Sequence, residues 1–214
     1  MAEKKVTIPI DSVELDGTLS IPKDAGALVI FAHGSGSSRL SPRNRFVAGI
    51  LQKEGMGTLL FDLLTAQEDE VYENRFNIPL LTRRLKAATL WTKEQPETAH
   101  FKIGYFGAST GTAVALVAAA DFGEEIKAVV SRGGRPDLAG DALGKVVTPT
   151  CLIVGGDDTV VIGLNRKAYE LLKAEKQLKI IPGAAHLFEE PGALEEVARL
   201  ATEWFKKHLV PAYV

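Results

Sequence analysis

Ile103-Gly104-Tyr105-Phe106-Gly107-Ala108-Ser109-Thr110-Gly111 runs from a short apolar segment through a G-x-S-x-G sequence and on into the Ala-rich stretch Thr112 to Ala120. The opening residues have the composition of a buried strand and the closing ones that of a helix, so the serine stands at a strand-to-helix turn. A chain turned that sharply holds its central residue in strained backbone, and the flanking glycines leave room for close backbone approach. Ser109 Oγ then projects outward at a helix N-terminus, where free N–H groups and the helix dipole favour negative charge developing on a nearby oxygen. Serine is also a common helix N-cap. Its partners decide between the two roles.

Outward from this turn the chain alternates in kind. Ala27 to Ala32, Thr58 to Phe61, Ile103 to Phe106, Ile126 to Val130, Cys151 to Val154 and Leu178 to Ile181 are short apolar runs of the sort found in strands buried on both faces. Segments with helical spacing separate them, at about Arg43 to Glu54, Pro79 to Glu94, Thr110 to Asp121 and Asn165 to Ala174. The clearest is a further segment near the end of the chain, with Leu194, Val197, Ala198, Ala201, Trp204, Phe205 and Leu209 on one face. From Lys4 to Ile21 apolar and polar residues alternate, which predicts a pair of edge strands. Strand and helix in alternation predict an α/β fold, a mostly parallel twisted sheet with helices on both faces and its chemistry at the carboxyl ends of the strands.

The 214 residues suit one domain, residues 1–214, and contain no linker or internal repeat. Between Arg132 and Thr148 there are about seventeen residues, too few for a large lid over the site. The acidic stretch Gln67-Glu68-Asp69-Glu70 reads as a solvated surface loop. Lys plus Arg is 25 and Asp plus Glu 27, a net charge of −2, which gives no electrostatic reason to expect nucleic acid or a membrane as partner. The lone Cys151 cannot form an internal disulfide, and no apolar run approaches the roughly 20 residues of a membrane span, so a soluble, cytoplasmic protein is expected. No His or Cys cluster has metal-ligand spacing, and the glycine patterns at Gly34 and Gly140 depart from nucleotide-binding motifs, so neither metal nor cofactor is expected.

Of the four histidines, His186 is the best placed base. It sits in the loop Pro182 to His186 that follows a strand and precedes the final helix, within reach of the other strand ends. A neutral imidazole can take a seryl proton provided a carboxylate fixes its tautomer. Gly155-Gly156-Asp157-Asp158 follows another strand and offers two adjacent carboxylates, of which only one can face the histidine. His33-Gly34-Ser35-Gly36-Ser37-Ser38 follows a third strand. Its backbone can supply a second oxyanion donor, the Ser35 N–H, opposite that of Thr110, while His33 itself is expected to shape the loop. Ser109, an Asp at 157 or 158, and His186 then come in the order nucleophile, acid, base, each after a separate strand.

In these features the chain resembles the α/β-hydrolase superfamily along nearly its whole length, and in particular short bacterial proteins of the dienelactone-hydrolase-like kind. HGSGSS from His33, GASTG around Ser109, GGDDTVV from Gly155 and GAAHLFEEPG from Gly183 carry the resemblance. The family form Gly-Gly-x-Asp-x-x-Val implies Asp158 as the acid, although Asp157 also has a valine three residues on. Dienelactone hydrolases proper use a cysteine where Ser109 stands, so their substrate is not implied. The expectation is a serine esterase acting on small soluble carboxylic esters through an acyl-enzyme, with Thr110 and Ser35 amides as the oxyanion hole. Arg39 and Arg132, near the predicted rim, are candidates for contact with an anionic substrate group. Lactonase, thioesterase and perhydrolase chemistry suit the same residues, and a binding protein on this scaffold is the alternative of another class. The apolar tail Leu209 to Tyr213 leaves packing within the chain and a homodimer both open.

Overall fold

Alternation sets the first elements of the computed structural model, which describes residues 3–210. β1 (Glu3–Ile10) and β2 (Val13–Ser20) form an antiparallel hairpin that reverses at Asp11-Ser12, with Asp11 at φ 54°. β3 (Ala27–Ala32), β4 (Gly57–Phe61), β5 (Lys102–Ala108), β6 (Ile126–Arg132), β7 (Thr150–Gly155) and β8 (Lys176–Ile181) complete one sheet. Its order is β1-β2-β4-β3-β5-β6-β7-β8, parallel from β4 onward. β3, β4 and β7 are buried at every position, as their apolar runs require. β8 differs from that expectation: only Ile181 is buried, because this strand has a single neighbour and forms the sheet edge.

Helices cover both faces. α1 (Pro42–Lys53) and α6 (Ala193–Leu209) bury Val47, Leu51, Val197, Trp204 and Phe205 against one face. α3 (Ile78–Glu94), α4 (Thr110–Phe122) and α5 (Thr159–Leu171) bury Leu81, Leu85, Val114, Leu116 and Ala168 against the other. Gly104 in β5 leaves the space that Phe205 fills, since a Cβ there would stand 2.9 Å from the Phe205 ring. α5 begins at Thr159 rather than Asn165, because the Asp158 carbonyl already accepts the first helical bond from the Ile162 N–H. The β-branched Thr159-Val160-Val161 concealed that start. Pro136–Lys145 is a 3-10 segment kinked at Gly140. No helix among the described residues is long and apolar enough to cross a membrane. Of the apolar tail, residues 211–213 lie outside the described residues.

The acidic stretch is more than a solvated loop. Ala66–Asp69 forms a one-turn helix, α2, with a capping box in which Thr65 Oγ1 accepts from the Glu68 N–H and the Glu68 carboxylate accepts from the Thr65 N–H. Glu68 also accepts from the buried Arg84 guanidinium at 2.6 Å, and Asp69 pairs with Arg75. Burial pushes the Glu68 carboxyl up, but the Thr65 N–H and Arg84 outweigh it and hold its pKa below 4.5. A carboxylate whose pKa is lowered by folding stabilises the native state above its unfolded pKa and loses that contribution as pH falls through the folded value. Glu68→Ala strands Arg84 and is expected to cost about 3 kcal/mol at pH 7. The gap to wild type, followed by urea denaturation, should narrow as pH falls from the ordinary glutamate value of 4.5 through the lower value of the folded state.

Candidate active site

Ser109 ends the turn between β5 and α4 at φ 50°, ψ −121°, and its side chain makes no capping hydrogen bond. Strain of this kind costs about 1–3 kcal/mol in a non-glycine residue and persists only where surrounding contacts impose it. Those contacts are specific. The Ser109 N–H donates to Arg132 O at 3.1 Å, and the Arg135 N–H donates to Ser109 O at 3.0 Å, so residues 132–135 bracket the serine. Both motif glycines are required by contact: a Cβ on Gly107 would lie 2.6 Å from Thr112 Cα, and one on Gly111 would lie 2.1 Å from Ala32 O. Asn165, fully buried on α5, donates to Gly134 O at 2.9 Å and steadies the bracket from below.

The loop after β3 comes against the serine. A Cβ on Gly34 would stand 3.1 Å from Ser109 Cβ, so glycine at 34 lets the backbone of Gly34-Ser35 pass beside Ser109. His33 anchors this loop, as its predicted structural role requires: its Nδ1–H donates to Gly34 O at 2.9 Å, and its Nε2 accepts from the Leu63 N–H at 3.0 Å. Burial lowers its pKa, which keeps the ring neutral and able to accept. Thr110 is buried at the first position of α4 and Ser35 is exposed on the loop.

His186 and Asp158 meet directly. His186 Nδ1 lies 2.6 Å from Asp158 Oδ2, and because an ionised carboxylate only accepts, this bond places the ring proton on Nδ1 and leaves Nε2 free to take another. Asp157 is exposed and makes no such bond, which separates two carboxylates that spacing alone left equivalent. Its N–H donates to Ala184 O at 3.0 Å, while the Gly156 N–H donates to Ile181 O, so backbone bonds stitch the loops after β7 and β8 together. Phe188, buried at 1% exposure, pins the histidine loop to the core. The loop crosses the end of β6, where a Cβ on Gly133 would lie 3.1 Å from His186 O.

The two candidate arginines part company. Arg39 donates to Asp62 at 2.7 Å and pairs with Asp16 of β2 at 3.3 Å, so its charge is committed to two carboxylates. Arg132 is buried, reaching Asn44 in the first turn of α1. Arg43, in the same turn, pairs with Glu189 beyond the histidine at 2.8 Å. Arg43, Asn44 and Asn165 are not legible in the sequence, since a polar residue on an amphipathic helix carries no signal of what it meets. Cys151 lies buried in β7 with its thiol pushed up to about 12 by burial, so it offers no thiolate. Among the described residues no cluster of His, Cys, Asp or Glu could hold a metal ion. A groove of about 790 Å³ between β2 and α1, lined by Thr18, Ser20, Phe46 and Gln52, includes none of Ser109, Asp158 and His186.

The model of the dienelactone hydrolase family matches residues 44–209. A dienelactone hydrolase from Anabaena variabilis of known structure is 56% identical, with 97% of this chain and 98% of that one covered and a TM-score of 0.94. Est1E from Butyrivibrio proteoclasticus is 18% identical with a TM-score of 0.81 over 95% of this chain and 98% of that one, a likeness of fold. Two Mycobacterium tuberculosis proteins, provisionally named phosphoribosyl transferases, are 54% identical over 98% of this chain, which spans about half their length, 47%.

Proposed function

The chain belongs to the dienelactone hydrolase family, and from that premise we propose that it is a serine hydrolase cleaving carboxylic esters through an acyl-enzyme. The observation that carries the proposal is the 2.6 Å bond between His186 Nδ1 and Asp158. Ser109 Oγ attacks the ester carbonyl carbon and its proton passes to His186 Nε2, while Asp158 stabilises the imidazolium formed. The carbonyl oxygen, now an oxyanion, accepts from the Thr110 and Ser35 N–H groups. Collapse expels the alcohol, which takes the proton from His186. Water then attacks the acyl-enzyme, His186 accepts its proton and returns it to Ser109 Oγ, and the carboxylic acid leaves. Substrates are small and soluble on this proposal, because Pro136–Lys145 is short and kinked where larger hydrolases carry a lid. The transferase name of the tuberculosis relatives covers proteins about twice as long, of which this chain matches about half.

A fluorophosphonate tests the proposal without assuming a substrate. Ser109 Oγ displaces fluoride from phosphorus, so intact mass should rise by one phosphonyl group, located on the peptide that contains Ser109. Short-chain p-nitrophenyl esters should be hydrolysed, and the label should abolish turnover. Labelling elsewhere, or none, sinks the serine mechanism and favours a binding protein. Lactones and thioesters in the same assay rank the remaining chemistries.

A further inference from the structure

The oxyanion donor proposed at Ser35 belongs to the peptide unit it shares with Gly34, and that unit is held from its carbonyl side. Gly34 O accepts twice, from His33 Nδ1–H at 2.9 Å and from the Ser37 N–H at 3.2 Å. The second bond closes a turn over residues 34–37 with Gly36 at φ 65°. A trans peptide is planar with its N–H opposed to its C=O, so two bonds on Gly34 O fix the direction in which the Ser35 N–H points. They also polarise the unit and strengthen that N–H as a donor. The unit lies beside Ser109, since a Cβ on Gly34 would stand 3.8 Å from Ser109 Oγ.

Both bonds trace back to the residues that follow β4. His33 Nε2 accepts from the Leu63 N–H at 3.0 Å, which fixes the ring against Gly34. Ser37 is held from its far side, two residues on. The Arg39 N–H donates to Asp62 Oδ1 at 2.7 Å and Arg39 Nη1 donates to Asp62 Oδ2 at 2.7 Å, so one carboxylate grips the backbone and the side chain of the same residue. Charge-assisted bonds of this length are about twice as strong as neutral ones. Asp62 is itself tied down, its N–H donating to Asp16 O of β2 at 3.0 Å, and its side chain is 19% exposed. The Asp16 carboxylate is 67% exposed and meets the same guanidinium at 3.3 Å.

We infer that Asp62 is a positioning residue for the oxyanion hole: its fork on Arg39 sets where Ser37 meets Gly34 O, and so sets the aim of the Ser35 N–H. The inference rests on the serine-hydrolase proposal and on Ser35 as its donor. Asp62 acts through Arg39, Ser37 and Gly34 and not on the ester itself. An oxyanion donor bears on the transition state more than on the bound ester, so displacing it lowers kcat and spares KM.

Asp62→Asn tests this. Asparagine offers one oxygen and one NH2 to two donors, so one arm of the fork is lost with little change of shape. Expressed per serine that a fluorophosphonate labels at completion, kcat for p-nitrophenyl acetate should fall about 30-fold, part of the cost of removing an oxyanion donor outright. KM should move by no more than about twofold. Trifluoroacetone supplies a second reading: Ser109 Oγ adds to its carbonyl carbon, the serine proton passes to His186, and the carbonyl oxygen becomes the oxyanion. Its inhibition constant should rise by the factor by which kcat falls. Asp16→Asn removes an exposed pair, keeps the fork and should leave all three quantities unchanged. Loss of stability alone would lower the melting temperature and the number of labelled serines but not the turnover of each. A folded Asp62→Asn protein with wild-type kcat and inhibition constant, or an Asp16→Asn protein affected as much, overturns the inference and leaves the hydrolase standing. If Asp62→Asn does not fold, Arg39→Gln, which removes the guanidinium arm alone, decides: a fall in kcat at unchanged KM supports positioning, and wild-type kcat overturns it. A wild-type protein that neither cleaves the ester nor binds the ketone would sink the hydrolase proposal, and the inference with it.

Discussion

Ser109→Ala will reduce ester hydrolysis by at least about ten-thousand-fold in kcat, because the attacking oxygen is gone while the oxyanion donors and the binding surface remain. The fold should be indifferent. Ser109 caps nothing with its side chain, and the contacts that impose its backbone are main-chain bonds from Ser109 to Arg132 and from Arg135 to Ser109. Alanine keeps the Cβ and hence the strain of φ 50°. Glycine does not, and Ser109→Gly should be equally inactive but more stable than wild type by about 1 kcal/mol. Stopped assays with p-nitrophenyl acetate and urea denaturation of the three proteins give both quantities. Substantial activity in a folded Ser109→Ala protein would remove the serine from the mechanism. A less stable glycine variant would mean that the turn is not strained against its sequence and that the positive φ needs another explanation.

Legibility of this chain in its sequence followed how local each signal was. The strand-turn-helix at Ser109 could be read because buried strand, glycine pair and Ala-rich helix lie within eighteen residues of one another, about the span over which periodicity is informative. The edge position of β8 could not, since Leu178 to Ile181 looks like any buried run and only the order of strands denies it a second neighbour. The start of α5 was hidden by β-branched residues whose low helix propensity is overridden by packing on β7 and by the Asp158 carbonyl. Gln67 to Glu70 looked solvated because its partner, Arg84, is far along the chain on α3. Arg39 and Arg132 were indistinguishable as rim arginines. Their difference lies in what other parts of the chain supply, two carboxylates to the first and an amide oxygen to the second.

The adjacent carboxylates at 157 and 158 give the sharpest measurement of what geometry adds, because the substitutions are nearly identical and the expected results are not. Asp158→Asn should lower kcat by about ten-thousand-fold, whereas Asp157→Asn should change it by no more than about threefold. In wild type, Asp158 Oδ2 accepts the His186 Nδ1 proton at 2.6 Å. An asparagine of the same shape can turn its NH2 toward that nitrogen, which favours the tautomer protonated on Nε2, and that ring cannot accept the proton of Ser109. It also removes the charge that stabilises the imidazolium. Asp157 contributes its backbone N–H to Ala184 O, a bond asparagine retains, and its exposed side chain makes no hydrogen bond to the histidine, which pairs with Asp158. Steady-state kinetics of the two variants on one ester, with melting temperatures to establish that both fold, give the ratio. Reversed effects would place the acid at 157 and require the loop after β7 to turn its other face to the histidine. Equal and small effects would mean that His186 acts without a carboxylate, and the 2.6 Å bond would then serve the loop and not the reaction.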